Sequence, residues 1–468
     1  MPGQERGPDA HRDRRDRADR ARCRYRTGRG RSRMGGPLHD AAADGDAGHH
    51  PRGAPVKTVV IVGAGQAGSE LAVALRQNGF SDRILLVGAE PHLPYQRPPL
   101  SKAFLHGKVD QVALRIRALD TYTNAGIEIE LDTAAVGIDR RTRSVALADG
   151  RTLRYDKLAL TTGGSPRPLR FGSGHVAGRT LHHLDDAIAL RQELQSGGTL
   201  LIVGGGFIGL ETAAAATAMG IAVTLVEAQP RVLARTCPPA ISAFVEREHR
   251  HHGVDLRTGV SVRNVVRRDG ALLAELSDDT VVRAGLILTG VGIAPNDTLA
   301  TTAGLAVDDG VLVDAVAGTE DPDIVAAGDC TRQWNGFLGR SVRLESVQNA
   351  TDQARTAART LCGKPTERFT APWFWSDQYH HKLQMAGLPQ TGDTAVVRGD
   401  PSSNSFSVVY LRKGIITGLH AVNRPRDFMA ARPLVTARAA MTGDEAASED
   451  LPLSELMKRH QSTAERRA

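Results

Sequence analysis

Cysteine is scarce and scattered in this 468-residue sequence: Cys23, Cys237, Cys330 and Cys362 are the whole set. No CxxC pair or ligand-like spacing links them, which argues against a structural zinc or a metal cluster held by the chain and points to a reducing compartment, the cytoplasm. An uninterrupted apolar run is also lacking. The longest, Leu200 to Val226, carries Glu211 and three consecutive glycines, so it reads as strand, turn, helix and strand and not as a membrane span. Net charge is lacking in the body of the chain. Residues 1–55 hold 13 Arg, no Lys and 8 Asp or Glu, a net +5, whereas the remainder has 46 basic against 44 acidic residues, only +2. A body so balanced gives little support to nucleic-acid binding.

The first 55 residues have no apolar periodicity, so they are expected to be a disordered basic extension, and without an apolar h-region they are not a secretory signal. Two readings compete: a basic arm with a partner, or an upstream extension that is not naturally translated. The second is preferred because Val56-Lys57-Thr58 opens the first strand and valine can be encoded by an alternative start codon. The length beyond the extension calls for two or three domains.

What is present begins with glycine. "KTVVIVGAGQAGSELAVALRQNGF" (57–80) is an apolar strand, a glycine turn and an amphipathic helix with Ala67, Leu71, Ala74 and Leu75 at helical spacing. Gly63, Gly65 and Gly68 fit G-x-G-x-x-G: the first permits the tight turn, the second lets backbone approach a pyrophosphate, the third lets helix pack on strand. A second strand, "RILLVGAE", ends in Glu90, placed to accept from a ribose hydroxyl. The unit recurs at 198–231, where Gly204, Gly206 and Gly209 form the turn and "VTLVE" ends in Glu227. One such hexapeptide is weak; two in the full strand–turn–helix–strand–acid frame are not. Two dinucleotides held together imply electron transfer between them. "YDKLALTTGGSPR" and "DPDIVAAGDCT", strands ending in Thr162-Gly163-Gly164 and Gly328-Asp329, flank the second unit, as if it interrupted the first domain.

These residues, with "PYQRPPLSK", "ESVQNATDQARTAA" and "PWFWSDQY", resemble the FAD-dependent ferredoxin reductases of bacterial oxygenase systems over residues 56 to 430. The resemblance implies an α/β fold with two Rossmann-like dinucleotide-binding domains, the FAD domain interrupted by the NAD domain, and a smaller α+β C-terminal domain. The implied division is 56–167 and 296–368 for FAD, 168–295 for NAD, 369–450 for the C-terminal reductase domain and 451–468 for a tail. Gly63, Gly65, Gly68 and Glu90 would then hold the FAD adenosine and pyrophosphate, with Asp329 on the ribityl chain and Thr162 and Gly163 beside the ligand. Gly204, Gly206, Gly209 and Glu227 would hold NADH. Arg97 would contact FAD, and Lys102 would reach the isoalloxazine near the nicotinamide side, with the prolines limiting chain freedom around both. Glu211 matches a glutamate near the nicotinamide, although a glutamate early in a helix also suits the helix dipole. Trp375, with Trp373 close by, is either an aromatic wall at the flavin or a core tryptophan. Ser346, Val347 and Gln348 open a helix whose N-terminal N–H groups would face the flavin.

The same comparison excludes neighbours. Flavin disulfide reductases need paired cysteines after the first βαβ unit, and peroxide-reducing relatives need one; Gly88 to Leu105 has none. Cys330 is expected to be a buried small residue. His249, His251 and His252 in "EREHRHHGVD" are expected to be the polar end of a helix stopped at Gly253, not a metal site. Electron counting gives the reaction. NADH supplies two electrons as hydride to flavin N5, a 2Fe–2S ferredoxin takes one at a time, and flavin can do both. Glu227 favours NADH over NADPH by repelling a 2′-phosphate, while Arg231 and Arg235 weaken that case. His380, His381, Lys382, Arg424 and Arg426 are candidate members of a local basic patch for an acidic ferredoxin, the alternative being scattered surface charge. A rubredoxin or small-radical reductase and a non-catalytic NADH-sensing flavoprotein remain open, as do monomer and homodimer.

Overall fold

The computed structural model describes residues 57–171, 176–336, 338–365 and 370–465. The predicted basic extension and Cys23 lie outside the described residues.

The run Thr58–Val62 is apolar on both faces because both faces are covered, as a central parallel strand requires. It sits in the middle of a five-stranded parallel sheet ordered Ile324–Ala326, Lys157–Leu160, Thr58–Val62, Arg83–Val87, Ile127–Glu130. Val59 and Ile61 face the helices Gln66–Gln77 and Val347–Leu361, which approach each other through Ala67, Ala74, Ala350, Ala354 and Ala357. Val60 and Val62 face the opposite side, against Val145 and Leu147 of an antiparallel three-stranded meander. The strand Ile324–Ala326 comes from far along the chain yet pairs with Lys157–Leu160, so this unit is interrupted and then resumes, Ala300, Leu305, Val311 and Val313 already lying in its core.

The inserted unit repeats the plan with a four-stranded parallel sheet ordered Asp255–Thr258, Ala222–Glu227, Thr199–Val203, Leu286–Thr289. Helices Phe207–Ala218 and Pro239–His251 belong to the core on one side, and a second meander (Val262–Arg268, Ala271–Leu276, Val281–Ala284) to the core on the other. The two chain crossings between units, Gly164–Pro166 and Ile293–Pro295, pair antiparallel.

The third unit is a five-stranded antiparallel sheet ordered Trp373–Gln378, His381–Gly387, Ile415–Val422, Ser405–Arg412, Thr394–Asp400. One face carries the helices Pro425–Thr436 and Leu453–Glu465. The segment after residue 450, expected as a tail, is therefore partly helix: Leu453 and Leu456, three apart, bury in that core. The sheet's other face, with Leu383, Met385, Phe406 and Val422, joins Phe244 of the inserted unit and Leu100, Phe104 and Leu105 of the first in one apolar cluster. All three units thus meet at the proline-rich segment.

Candidate functional site

The two glycine turns are tight for the same reason. At Gly63 (φ +112°) a Cβ would lie 2.1 Å from the Thr161 carbonyl oxygen, and at Gly68 1.9 Å from the Gly63 oxygen. The corresponding distances in the second turn are 2.5 Å from Gly204 (φ +114°) to the Gly290 oxygen and 2.2 Å from Gly209 to the Gly204 oxygen. The middle glycines differ from these. Among the described residues, nothing lies within 4 Å of a Cβ at Gly65, and at Gly206 only the Gly290 oxygen at 3.9 Å. Backbone is bare on the side where a pyrophosphate would approach a helix N-terminus, so both turns fit a dinucleotide.

Beyond the first turn, Asp329 follows Gly328 (φ +88°) at the end of the returning strand. Burial raises its carboxyl to about 7, the negative Glu345 adds to the rise, and Arg97 and Arg343 pull the other way. No described side chain or backbone N–H bonds that carboxylate, so its acceptors are free for the hydroxyls of a bound group, and the site fits FAD. Thr162 and Gly163 are held by Asn296: Thr162 Oγ1 donates to the Asn296 carbonyl at 2.6 Å, and the Asn296 N–H donates to the Gly163 oxygen at 2.9 Å. The helix beginning at Val347 is capped by Ser346, whose Oγ accepts from the Asn349 N–H at 3.1 Å.

Glu90 and Arg97, given separate contacts from sequence, are brought to each other. Arg97 Nη2 lies 2.8 Å from Glu90 Oε1, Tyr95 donates to Glu90 Oε2 at 2.6 Å, and His183 Nδ1 is 3.1 Å from Oε1. Burial works to raise this carboxyl, but the His183 hydrogen bond, the Arg97 charge and the Tyr95 hydroxyl together hold it at about 2. Glu227 behaves differently. It folds back on its own turn, Oε2 accepting from Gly205 N–H at 2.6 Å and Oε1 from Gln229 N–H at 2.7 Å. Arg231 is no phosphate ligand in this geometry: its guanidinium donates to the Cys237 and Ala234 carbonyls and to Ser242 Oγ. Arg235 is exposed, with Nη2 3.6 Å from the Cβ position of Gly292.

The two units meet at Glu211. Pro98 and Pro99 set a single helical turn, Pro98–Ser101, on a segment whose φ they fix. That turn delivers Ser101 and Lys102 to the second unit. Lys102 Nζ is 2.8 Å from Glu211 Oε1, Ser101 Oγ donates to Oε2 at 2.6 Å, and Ser376 Oγ of the C-terminal unit donates to Oε1 at 2.6 Å. Glu211 is buried, and a carboxylate in that position persists only with such a set of partners. Trp375, two strand positions from Trp373 with ring centroids 5.6 Å apart, is half-buried on the strand that carries Ser376. Ser101 and Ser376 were missed in sequence, although both lay inside quoted motifs, because only the charged and aromatic members were weighed there.

Three sequence expectations need correction or refinement. His381 is not part of a docking patch: it is buried, with Nε2 3.0 Å from Glu248 Oε2. Arg424 is neutralised by Asp427 and Glu449, leaving His380, Lys382 and Arg426 exposed. His249 is not a polar helix end but fully buried between the inserted and C-terminal units, while the helix does stop before Gly253 (φ +84°). Cys330 is buried, its thiol directed at the Leu160 and Ala327 carbonyls.

A pyridine nucleotide-disulphide oxidoreductase family model matches residues 57–354, and a reductase C-terminal model matches residues 373–457. Putidaredoxin reductase of Pseudomonas putida is 42% identical over 408 residues, covering 85% of this chain and 96% of that protein. Rhodocoxin reductase of Rhodococcus erythropolis is 41% identical over 410 residues, 87% and 96% of the two chains. Among solved structures, the covalent putidaredoxin reductase–putidaredoxin complex matches with a TM-score of 0.84 at 41% identity, covering 87% of this chain and 99% of that one. The described cysteines are all unpaired, so the family's disulphide chemistry has no counterpart at this site. The chain belongs to the pyridine nucleotide-disulphide oxidoreductase family and, within it, to the NAD-dependent ferredoxin reductases.

Proposed function

We propose that this protein oxidises NADH, passes the electrons through FAD and reduces two molecules of a 2Fe–2S ferredoxin that supplies a cytochrome or ring-hydroxylating oxygenase. The balance is one NADH and two oxidised ferredoxins giving NAD⁺, two reduced ferredoxins and one proton. FAD supplies the exchange between a two-electron donor and a one-electron acceptor. The rest falls to the chain. Gly63, Gly65, Gly68, Asp329, Thr162, Gly163 and the helix start at Val347 line the FAD side, with Glu90 and Arg97 bracing one another at its edge. Gly204, Gly206, Gly209 and Glu227 line the NADH side. Lys102 and Glu211 bridge the two, and Trp375 walls the site from the C-terminal unit. These roles go with a division at 56–167, 168–295, 296–368 and 369–450, and with a cytoplasmic location, where free thiols such as buried Cys237 and Cys330 persist.

The observation that carries the reading is the Lys102–Glu211 pair. A cation from the first glycine unit and a carboxylate from the second touch at 2.8 Å, which supports two dinucleotide sites whose ends meet there. An anaerobic NADH titration tests it. The flavin absorbance should bleach at about one NADH per flavin, and subsequent addition of a 2Fe–2S ferredoxin should restore it. A flavin left oxidised by NADH overturns the reading. Bleaching with no transfer to any ferredoxin would favour a rubredoxin or small-radical acceptor, or a sensor.

A further inference from the structure

One line of polar side chains runs from Glu211 outward through the seam between the inserted and C-terminal units. Ser376 Oγ lies 2.6 Å from Glu211 Oε1, Gln378 Nε2 is 3.2 Å from Ser376 Oγ, His249 Nε2 is 3.0 Å from Gln378 Oε1, and Tyr379 OH is 3.1 Å from His249 Nδ1. Ser376, Gln378 and His249 are all buried; Tyr379 is half-buried, and His252 stacks on its ring at 3.7 Å.

The direction of every link follows from the first. A carboxylate only accepts, so the Ser376 proton is committed to Glu211. Ser376 Oγ must then accept from Gln378, which turns the amide nitrogen toward it and the amide oxygen toward His249. His249 must therefore carry its proton on Nε2, leaving Nδ1 to accept from Tyr379. Four donors point the same way, toward one carboxylate. Burial holds His249 down at about 4, which agrees with a neutral ring. The chain is unsuited to carrying protons, because Gln378 would have to pass through an imidic acid. Its capacity is to fix orientation.

We propose that Ser376, Gln378 and His249 are positioning residues that hold the Glu211 carboxylate against Lys102, so that the C-terminal unit sets the geometry of the NADH side. The proposal rests on the assignment of Glu211 to that side. Ser101 and Lys102, both of the first unit, hold Oε2 and Oε1 in turn; Ser376 adds a second partner to Oε1, this one from the C-terminal unit. Because that partner comes from another unit, loss of contact at the seam leaves Oε1 to Lys102 alone and loosens Glu211 without any change at either glycine turn.

The experiment uses the intact flavoprotein and four variants: Ser376→Ala, His249→Leu, their combination, and His249→Gln, which keeps a donor near Nε2. NAD⁺ affinity is measured by calorimetry and the single-turnover rate of flavin bleaching by stopped flow, alongside flavin content and Tm. Ser376→Ala should weaken NAD⁺ about fivefold and slow bleaching about tenfold, as loss of one charge-assisted hydrogen bond does, and His249→Leu, which frees Gln378 and through it Ser376, should approach the same loss. Flavin content should not change. The double variant should be no worse than Ser376→Ala, since links in one chain are not additive, and His249→Gln should recover most of the loss. Should His249→Leu fail to fold, Tyr379→Phe takes its place, with a loss of about twofold that vanishes in the Ser376→Ala background. Shifts in Tm with affinity and rate unchanged, or effects that multiply in the double variant, overturn the proposal. A wild type that NADH cannot bleach overturns the functional reading itself, and with it the assignment of Glu211.

Discussion

The two glycine units share a backbone plan and part company at their acids. Both turns are closed by glycines whose Cβ positions are taken by carbonyl oxygens, Thr161 and Gly63 in one, Gly290 and Gly204 in the other. Both sheets are parallel and both carry an antiparallel meander on one face. Yet Glu90 is gripped by side chains from elsewhere (Arg97, Tyr95 and His183), while Glu227, among the described residues, bonds only the backbone of its own turn and the next loop. The first unit is thus locked into a wider scaffold that includes the proline segment. The second keeps its acid as part of a self-contained turn. Such a difference suits one site that retains its dinucleotide and one that exchanges it with every turnover.

The largest effects should come from breaking the turns one at a time. Gly68→Ala puts a methyl 1.9 Å from a backbone oxygen, and Gly209→Ala does the same at 2.2 Å, so each costs about 3 kcal/mol or more in displaced backbone. The consequences should differ. Gly68→Ala is expected to yield little soluble protein and no bound flavin. Gly209→Ala should purify yellow, with flavin that NADH bleaches at least about a hundredfold more slowly. Absorbance of the two purified variants decides it; equal flavin loss in both would mean that the units are not independent.

Acid should separate the regions next. Burial depresses His249 to about 4 and His420 to about 3, both at or near the C-terminal sheet, and it also lowers His381 against the opposing pull of Glu248. A histidine depressed on folding contributes stability that is full above its unfolded value near 6.5 and is lost as pH falls toward the folded value, on the order of 3 kcal/mol for His249 by pH 4. In the inserted unit, His182, lowered to about 3 by burial and by Arg97 of the first unit, acts in the same direction. Asp329, raised to about 7, acts in the opposite one, since a carboxyl raised on folding gains stability as pH falls through 7. Glu90, held at about 2, loses its contribution only below its ordinary 4.5. Between pH 6.5 and 4.5 the seam at Pro239–His251 should therefore loosen before the first sheet. Amide exchange at pH 7 and pH 5 measures this; uniform loosening would contradict it.

Asp329→Asn separates stability from flavin binding within the first unit. Removing a charge that the fold disfavours should raise the Tm of flavin-free protein by a few degrees, while losing a free carboxylate acceptor should weaken FAD about tenfold. The second unit should be unaffected. A melt with and without added FAD reads both signs at once, and a variant that loses stability in both conditions would count against Asp329 as a ligand.

What could be read from sequence was backbone, and what could not was the pairing of side chains across units. The glycine spacing located both turns because only a residue without Cβ fits beside Thr161 or Gly290. The interruption of the first unit showed in the flanking strands that now lie side by side as Lys157–Leu160 and Ile324–Ala326. Lys102 and Glu211 were both chosen from sequence, but their contact was not, since they are separated by 108 intervening residues. Ser101, Ser376 and Gln378 carry no signature of their own. A neutral hydroxyl or amide becomes informative only once a buried carboxylate is seen to need it. His249 misled for the opposite reason: three histidines near a helix end read as solvated, and a packing domain made one of them core.

The smallest effect concerns which nicotinamide cofactor is accepted. Under the proposed assignment Glu227 would discriminate against a 2′-phosphate by charge, and it also satisfies two backbone N–H groups. Glu227→Ala would confuse the two roles, so Glu227→Gln is the better probe: the amide oxygen keeps one bond and the amide nitrogen forfeits the other, at about 1 kcal/mol. With Arg231 tied to the Cys237 and Ala234 carbonyls, exposed Arg235, close to Gly292, is the remaining arginine of the two that could meet a phosphate. The expected gain is accordingly modest, with kcat/KM for NADPH rising about threefold and that for NADH falling by a similar factor. Adding Arg235→Ala should erase the NADPH gain and leave the NADH loss. A gain that survives the second substitution would show that relief of Glu227's repulsion suffices by itself. No gain in either variant would make Glu227 a brace of the turn and nothing more, and the second unit's preference for NADH would then have to come from the shape of the loop that Arg231 holds.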